Sequence, residues 1–296
     1  MKIGLALGSG SARGWAHIGV IEVLKENGIR PEIVAGTSIG AIVGASYAAG
    51  RLEQLKKQVL DLNKLAWATY FTPSTSLDGW INHGRLKNFL EDAGISPKAG
   101  FDSLKKSFGC VACDLESGKE KWFREGNVFE AVWASMAMPG VFPAVRLSNR
   151  WYIDGGIINP VPVSLCRAMG ADIVIAVNLN ADILTRTQAW EAPEGAILKK
   201  VKKTARKILP EHLVPFTDGP VPPKALENVS RSINIAQDII TRSRLAGDPP
   251  DVLITPRLAQ IGLFETYRGP EAIEEGRLAT ERMLEAILEV ARKPKS

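Results

Sequence analysis

The stretch Ile33-Val34-Ala35-Gly36-Thr37-Ser38-Ile39-Gly40-Ala41-Ile42-Val43-Gly44-Ala45-Ser46-Tyr47-Ala48-Ala49-Gly50 decides the fold. Its 18 residues carry no charge, the length at which a membrane-spanning helix has to be considered. The internal pattern argues against a span. Ile33–Ala35 reads as a short strand, Gly36–Gly40 as a tight turn, and Ile39–Ala49 as a buried helix. Gly40 and Gly44 lie one helical turn apart, so that face can approach a sheet closely. Gly36-Thr37-Ser38-Ile39-Gly40 is a G-x-S-x-G between strand and helix. A nucleophilic serine needs such a turn to stand clear of the sheet edge. The flanking Gly36 and Gly40 relieve the crowding, and the helix N-terminus faces the developing negative charge. Ser38 is therefore the candidate nucleophile.

Upstream, Ile3–Leu7 is an apolar strand. The loop Gly8-Ser9-Gly10-Ser11-Ala12-Arg13-Gly14 follows, then a helix from about Trp15 to Asn27 that Gly28 can end. Strand, helix, strand makes a βαβ opening and predicts an α/β fold with a largely parallel sheet. Amides of a loop that opens a helix point at an anion. A dinucleotide site would need an acidic residue at the end of the second strand. That end is Gly36-Thr37-Ser38; the nearest acid, Glu32, begins the strand, and the loop spacing is one residue too long. No Gly-Lys-Ser/Thr is present, which excludes a phosphate-binding P-loop. The remaining reading is an oxyanion hole beside Ser38, with donors among Gly8, Gly10, Ser11 and Ala12 and from Ile39.

Downstream, helical patterns run to about residue 94, interrupted by an aromatic connector from Trp67 to Pro73. Ser107–Leu115 and Glu120–Phe123 read as strands joined at Ser117-Gly118. Asn127 and Glu130 have capping-box spacing for a helix that Pro139-Gly140 stops. Trp151–Ile153 is a short strand ending in the turn Asp154-Gly155-Gly156. Ile173–Val177 and Val252–Ile254 are further strands, Val229–Leu245 and Glu271–Ala291 further helices. Residues 181–222 read as irregular, with prolines at 193, 210, 215, 220 and 222. No repeat is evident, so one domain over 1–296 with a basic excursion at 181–222 is expected.

The bulk composition is that of a globular protein: 45% hydrophobic and 23% charged, with a formal charge of +5. No nucleic-acid-binding signature accompanies the mild positive charge. Cys110, Cys113 and Cys166 are too few for a disulfide scaffold. Cys110 and Cys113 lie three apart on a strand, so they point to opposite faces. His17, His83 and His212 lack metal-ligand spacing, and no metal or organic cofactor is expected. A strand pattern from Lys2 stands where a secretory leader would be. A cytoplasmic protein able to touch the inner face of a membrane is expected. That contact is expected from Ile197–Leu209, which carries Lys199, Lys200, Lys202, Lys203, Arg206 and Lys207 without an acid. Ile197, Val201, Ala205 and Ile208 would line one face, suiting either an anionic lipid interface or a helix docked on the core.

Three pieces together give the chain a resemblance to the patatin-like phospholipases: the Gly/Ser loop ending Arg13-Gly14, Gly-Thr-Ser-Ile-Gly at 36–40, and Asp154-Gly155-Gly156. The stretches Ala134-Ser135-Met-Ala-Met-Pro139-Gly140-Val-Phe142-Pro143 and Asp154–Pro162 also match. The C-terminal third, with Ala246-Gly247-Asp248-Pro249-Pro250-Asp251, is similar to the small bacterial RssA-like subgroup. The resemblance implies a three-layer α/β/α fold and a serine esterase acting on lipid or other acyl esters. It further implies a Ser38–Asp154 dyad, Asp154 being desolvated and hydrogen-bonded to the serine. His17, early on the first helix, is the rival base. An acyltransferase sharing the acyl-enzyme, or a scaffold of the same fold, remains an alternative. One departure stands out: much of the family has three glycines where this chain reads Ser9-Gly10-Ser11, and Ser11 could crowd the substrate carbonyl.

Overall fold

The computed structural model describes residues 1–63, 83–183 and 225–292. The aromatic connector 67–73, the basic stretch 197–209, and nearly all of the excursion lie outside them. Among the described residues eight strands form one sheet: β1 (Ile3–Leu7), β2 (Ile33–Thr37), β3 (Ser107–Asp114), β4 (Glu120–Phe123), β5 (Val145–Leu147), β6 (Arg150–Asp154), β7 (Ile173–Val177) and β8 (Val252–Ile254). The helices are α1 (Ala16–Glu26), α2 (Ile39–Ala48), α3 (Leu52–Asp61), α4 (His83–Asp92), α5 (Val128–Ser135), α6 (Val163–Ala168), α7 (Ala225–Gly247), α8 (Gly269–Arg282) and α9 (Leu284–Arg292). No described helix is long and apolar enough to cross a membrane.

The parallel centre runs β3-β2-β1-β7-β8. Side chains alternate across it as strand geometry requires. Leu5, Leu7, Val34, Ile175 and Val177 pack into one core with residues of α1, α2, α3, α5, α8 and α9. Ala6, Ile33, Ala35, Val174 and Ala176 face the other way, into a second core with Val163, Leu165 and Cys166 of α6 and with Leu245 of α7. The result is a three-layer α/β/α arrangement. These strands are apolar on both faces because both are covered.

Four elements differ from the sequence reading. β5 and the short helix α6 had no clear signal, because three and six residues are too few to show a period. The closing helix is two helices, α8 and α9, parted at Met283. α7 starts at Ala225, four residues before its expected Val229. The cap of α5 is as expected: the Glu130 amide donates to Asn127 Oδ1 at 2.9 Å.

One feature of the register positions the site. On β3, Val111 is paired with both Thr37 of β2 and Trp122 of β4, and Ala112 with both Asp154 of β6 and Lys121 of β4. A strand has two hydrogen-bonding edges, so β4 occupies one, and β2 followed by β6 occupies the other. β2 runs parallel to β3 and β6 antiparallel, so their C-terminal ends meet head-on. The turn after β2 begins with Ser38, and the last residue of β6 is Asp154.

Candidate active site

Ser38 has a positive φ, 56° with ψ −120°, between β2 and the first turn of α2. For a residue with a Cβ this conformation is strained and persists only where the surroundings enforce it. The enforcement is visible. A Cβ at Gly40 would lie 2.1 Å from the Leu7 carbonyl oxygen, and one at Gly36 would lie 2.4 Å from that of Gly40. The Ser38 amide donates to Ser135 Oγ at 3.0 Å, from the fully buried end of α5. Thr37 Oγ1 donates to the Asn159 carbonyl at 2.9 Å. The elbow is thus tied to two segments far along the chain.

Ser38 Oγ donates to Asp154 Oδ2 at 2.5 Å. The other carboxylate oxygen, Oδ1, accepts the Gly156 amide at 2.6 Å, and the Asp154 amide donates to the Ala137 carbonyl at 2.9 Å. Asp154 is 3% exposed. Burial pushes its carboxyl up to about 6; the hydrogen bonds from Ser38 and Gly156 act in the opposite direction. A carboxylate that binds protons in this range, in contact with a serine hydroxyl, is suited to accept the hydroxyl proton. Gly155 lets this turn press against β3, since a Cβ there would lie 2.1 Å from the Val111 carbonyl oxygen.

The first loop lies beside the elbow, and a Cβ at Gly14 would strike the Ile39 side chain at 2.2 Å. It also reaches the turn of Asp154, where a Cβ at Gly156 would stand 3.1 Å from that of Ser9. Two of the expected oxyanion donors are already engaged. The Gly8 amide donates to the Val177 carbonyl at 3.1 Å, and the Ala12 amide to the Leu263 carbonyl at 3.2 Å. Neither can serve a substrate without breaking a structural bond, which corrects the expectation for both. Among the described residues no backbone carbonyl outside the helices accepts from the amides of Gly10, Ser11 or, in the first turn of α2, Ile39, as fits the leading amides of a helix, which have no acceptor within it. Ser11 stands at φ 51°, the left-handed region that favours glycine. A serine here bears strain that a glycine would not.

His17 is fully buried, and its Nε2 lies 2.8 Å from the Gly8 carbonyl. That oxygen only accepts, so Nε2 carries the proton and donates. Burial lowers the imidazole to about 4, leaving it neutral, with Nδ1 buried and without a partner. His17 therefore holds the loop. Cys110, Cys113 and Cys166 are free and buried, and burial pushes the Cys166 thiol up to about 12. No group of His, Cys, Asp and Glu among the described residues could hold a metal ion.

Several residues at the site had no role in the sequence reading. Ser135 belonged to a recognised stretch, but nothing local showed its hydroxyl on the elbow. Arg13 is 2% exposed, and Asn234 of α7 binds it from 221 residues away. Only the fold brings these pairs together.

A profile described as patatin-like phospholipase matches residues 5–167, which include Ser38 and Asp154. An "uncharacterized NTE family protein" of Mycobacterium tuberculosis is 32% identical over 97% of this chain and 92% of its own length. The lysophospholipase NTE1 of Pyricularia oryzae is 28% identical over 93% of this chain, which spans 18% of that protein. VipD from Legionella pneumophila overlays 96% of this chain and 66% of its own, with a TM-score of 0.49 and 12% identity. The profile covers more than half of the chain, and the mycobacterial relative nearly all of it: the chain belongs to the patatin-like phospholipase family.

Proposed function

We propose that this protein is a serine acyl-ester hydrolase acting on lipid esters, with Ser38 as nucleophile and Asp154 as its base. The observation that carries the reading is the 2.5 Å hydrogen bond between Ser38 Oγ and a buried carboxylate raised to about 6. Ser38 Oγ attacks the ester carbonyl carbon as Asp154 Oδ2 takes the hydroxyl proton. The carbonyl oxygen becomes an oxyanion held by the amides of Gly10, Ser11 and Ile39. The carbon–oxygen bond to the leaving alcohol breaks, and Asp154 returns the proton to that alcohol. Water then attacks the acyl-serine, giving its proton to Asp154. Collapse releases the fatty acid and restores Ser38. The name of the fungal relative, a lysophospholipase, points to lysophospholipids as the first substrates to try.

The test is labelling by a fluorophosphonate, followed by turnover of p-nitrophenyl esters and lysophospholipids of graded acyl length. Label on Ser38 with release of free acid supports the reading. A folded protein that takes no label is a scaffold. A labelled protein that passes the acyl group to an added alcohol in preference to water is a transferase. Contact with anionic membranes through 197–209 belongs to this reading on its charge pattern alone, each basic residue contributing about 1 kcal/mol. Sedimentation with anionic vesicles should fall with salt and when Lys199, Lys200, Lys202 and Lys203 become glutamine. Undiminished binding by that variant removes this part.

A further inference from the structure

The profile match ends at residue 167, yet α7, at 225–247, touches both halves of the candidate machinery. Asn234 Oδ1 accepts from Arg13 Nη2 at 3.1 Å. Arg13 Nε donates to the Gly10 carbonyl at 3.1 Å, and the Arg13 amide donates to the same oxygen at 3.2 Å. One turn on along α7, Gln237 is buried and its Oε1 accepts from Asn180 Nδ2 at 3.0 Å. Its Nε2 lies over the turn of the base, 2.5 Å from where a Gly156 Cβ would be. The inward side of α7 thus rests on the loop and on the Asp154 turn.

We infer that Asn234 is a positioning residue for the oxyanion hole, acting through Arg13 on the Gly10–Ser11 peptide. The inference rests on the proposed hydrolase reading and adds to it a residue outside the matched region. In a trans peptide the carbonyl oxygen and the amide hydrogen point in opposite directions. Two donors from Arg13 pin the Gly10 oxygen, so they also fix the direction of the Ser11 N–H, away from Arg13. Ser11 is in the left-handed region, which is unfavourable for a residue with a Cβ, so the two bonds from Arg13 to the Gly10 carbonyl act against that peptide turning over. Arg13 can hold only if its own guanidinium is held. It is buried, burial pulls it down to about 10 with the charge of Asp182 opposing, and Asn234 accepts one of its protons. A buried guanidinium that loses an acceptor seeks another, and the Gly10 bond would be the one to distort.

The experiment compares wild type with Asn234→Ala, which removes the acceptor, and Asn234→Asp, which keeps it. Ile235→Ala, at an exposed neighbouring position, is the control. Turnover of a soluble p-nitrophenyl ester gives kcat and KM. The affinity of a trifluoromethyl ketone, which forms an oxyanion on the serine, reports on the hole itself. In Asn234→Ala, kcat should fall about 10-fold with KM within twofold, as for a transition-state interaction weakened but not deleted. The ketone should weaken by a matching factor, Asn234→Asp should restore most of both, and Ile235→Ala should change neither. If Asn234→Ala does not fold, Asn234→Ser, whose hydroxyl stops short of Arg13, replaces it. The inference is overturned if the variant lacking the acceptor keeps wild-type kcat and ketone affinity, or if Asn234→Asp is as impaired as it is. A wild-type protein that neither turns over esters nor takes a fluorophosphonate overturns the hydrolase reading instead.

Discussion

Ser38 Oγ and Asp154 Oδ2 are in hydrogen-bond contact at 2.5 Å, although 116 residues separate them, because β2 and β6 end against each other on one edge of β3. Neither strand alone places its terminal residue. β3 does, by pairing Val111 with Thr37 and Ala112 with Asp154. Under the proposed mechanism, this relationship yields several expectations.

Ser38→Ala should abolish esterase turnover and fluorophosphonate labelling while leaving the circular dichroism spectrum and melting transition intact. Asp154→Asn should lose at least about 10²-fold in turnover, the usual scale for a general base. His17→Ala should lose far less, because His17 Nε2 is engaged with the Gly8 carbonyl. A dead His17→Ala that is folded, beside an active Asp154→Asn, would reverse the assignment of the base.

The pH dependence follows from Asp154 being raised to about 6. The base works as the carboxylate, so kcat/KM should climb as pH rises through about 6 and level off above it. His17 takes a proton only near 4, below that limb. The profile of kcat/KM on a neutral ester between pH 4 and 9 checks this. A limb centred above 7 would point to another base.

The same carboxyl makes a stability prediction. Its ordinary value is 3.8 and its folded value about 6, so between these the native chain holds a proton the unfolded chain has lost. Stability from this group is therefore lost as pH rises across that window, by about 3 kcal/mol once pH is well above 6. Asp154→Asn carries no such cost: its Oδ1 can still accept from the Gly156 amide, and its Nδ2 can donate to Ser38 Oγ, reversing that bond. It should melt higher than wild type at pH 7, with the difference closing near pH 4. Urea denaturation at the two pH values measures it, and equal stabilities at pH 7 would contradict it.

Ser135→Ala removes the acceptor of the Ser38 amide. A buried donor left unpaired costs about 1–3 kcal/mol, and here the elbow can relax toward ordinary backbone angles. The expected result is a lower melting temperature and about 10-fold lower kcat, with KM little changed, read from steady-state kinetics and calorimetry. An unchanged kcat would mean that the glycines and β2 hold the elbow unaided.

Ser11→Gly should be tolerated. Left-handed backbone costs an L-residue about 1–2 kcal/mol, and Ser11 adopts it at φ 51°. Glycine removes that strain at a somewhat larger entropy cost on folding, so stability should be equal or slightly higher and turnover maintained. Loss of activity would assign the Ser11 hydroxyl a part in the chemistry.

The amino-acid sequence by itself determined what is local. The charge-free run 33–50 resolved into strand, elbow and helix because glycine spacing and apolar period are properties of neighbouring residues. The loop 8–14, the Asn127 cap and the turn 154–156 were legible for the same reason. The largely parallel sheet followed from strand, helix and strand in order. Tertiary structure decided everything that depends on a distant partner. It set Asp154 against Ser38 through their shared neighbour β3, and it engaged the amides of Gly8 and Ala12 with Val177 and Leu263. It turned His17 onto the Gly8 carbonyl and brought Ser135 and Asn234 to the elbow and the loop. A hydrogen bond is specified by two positions in space, and the chain order of its donor and acceptor carries no record of the distance between them until the sheet is assembled.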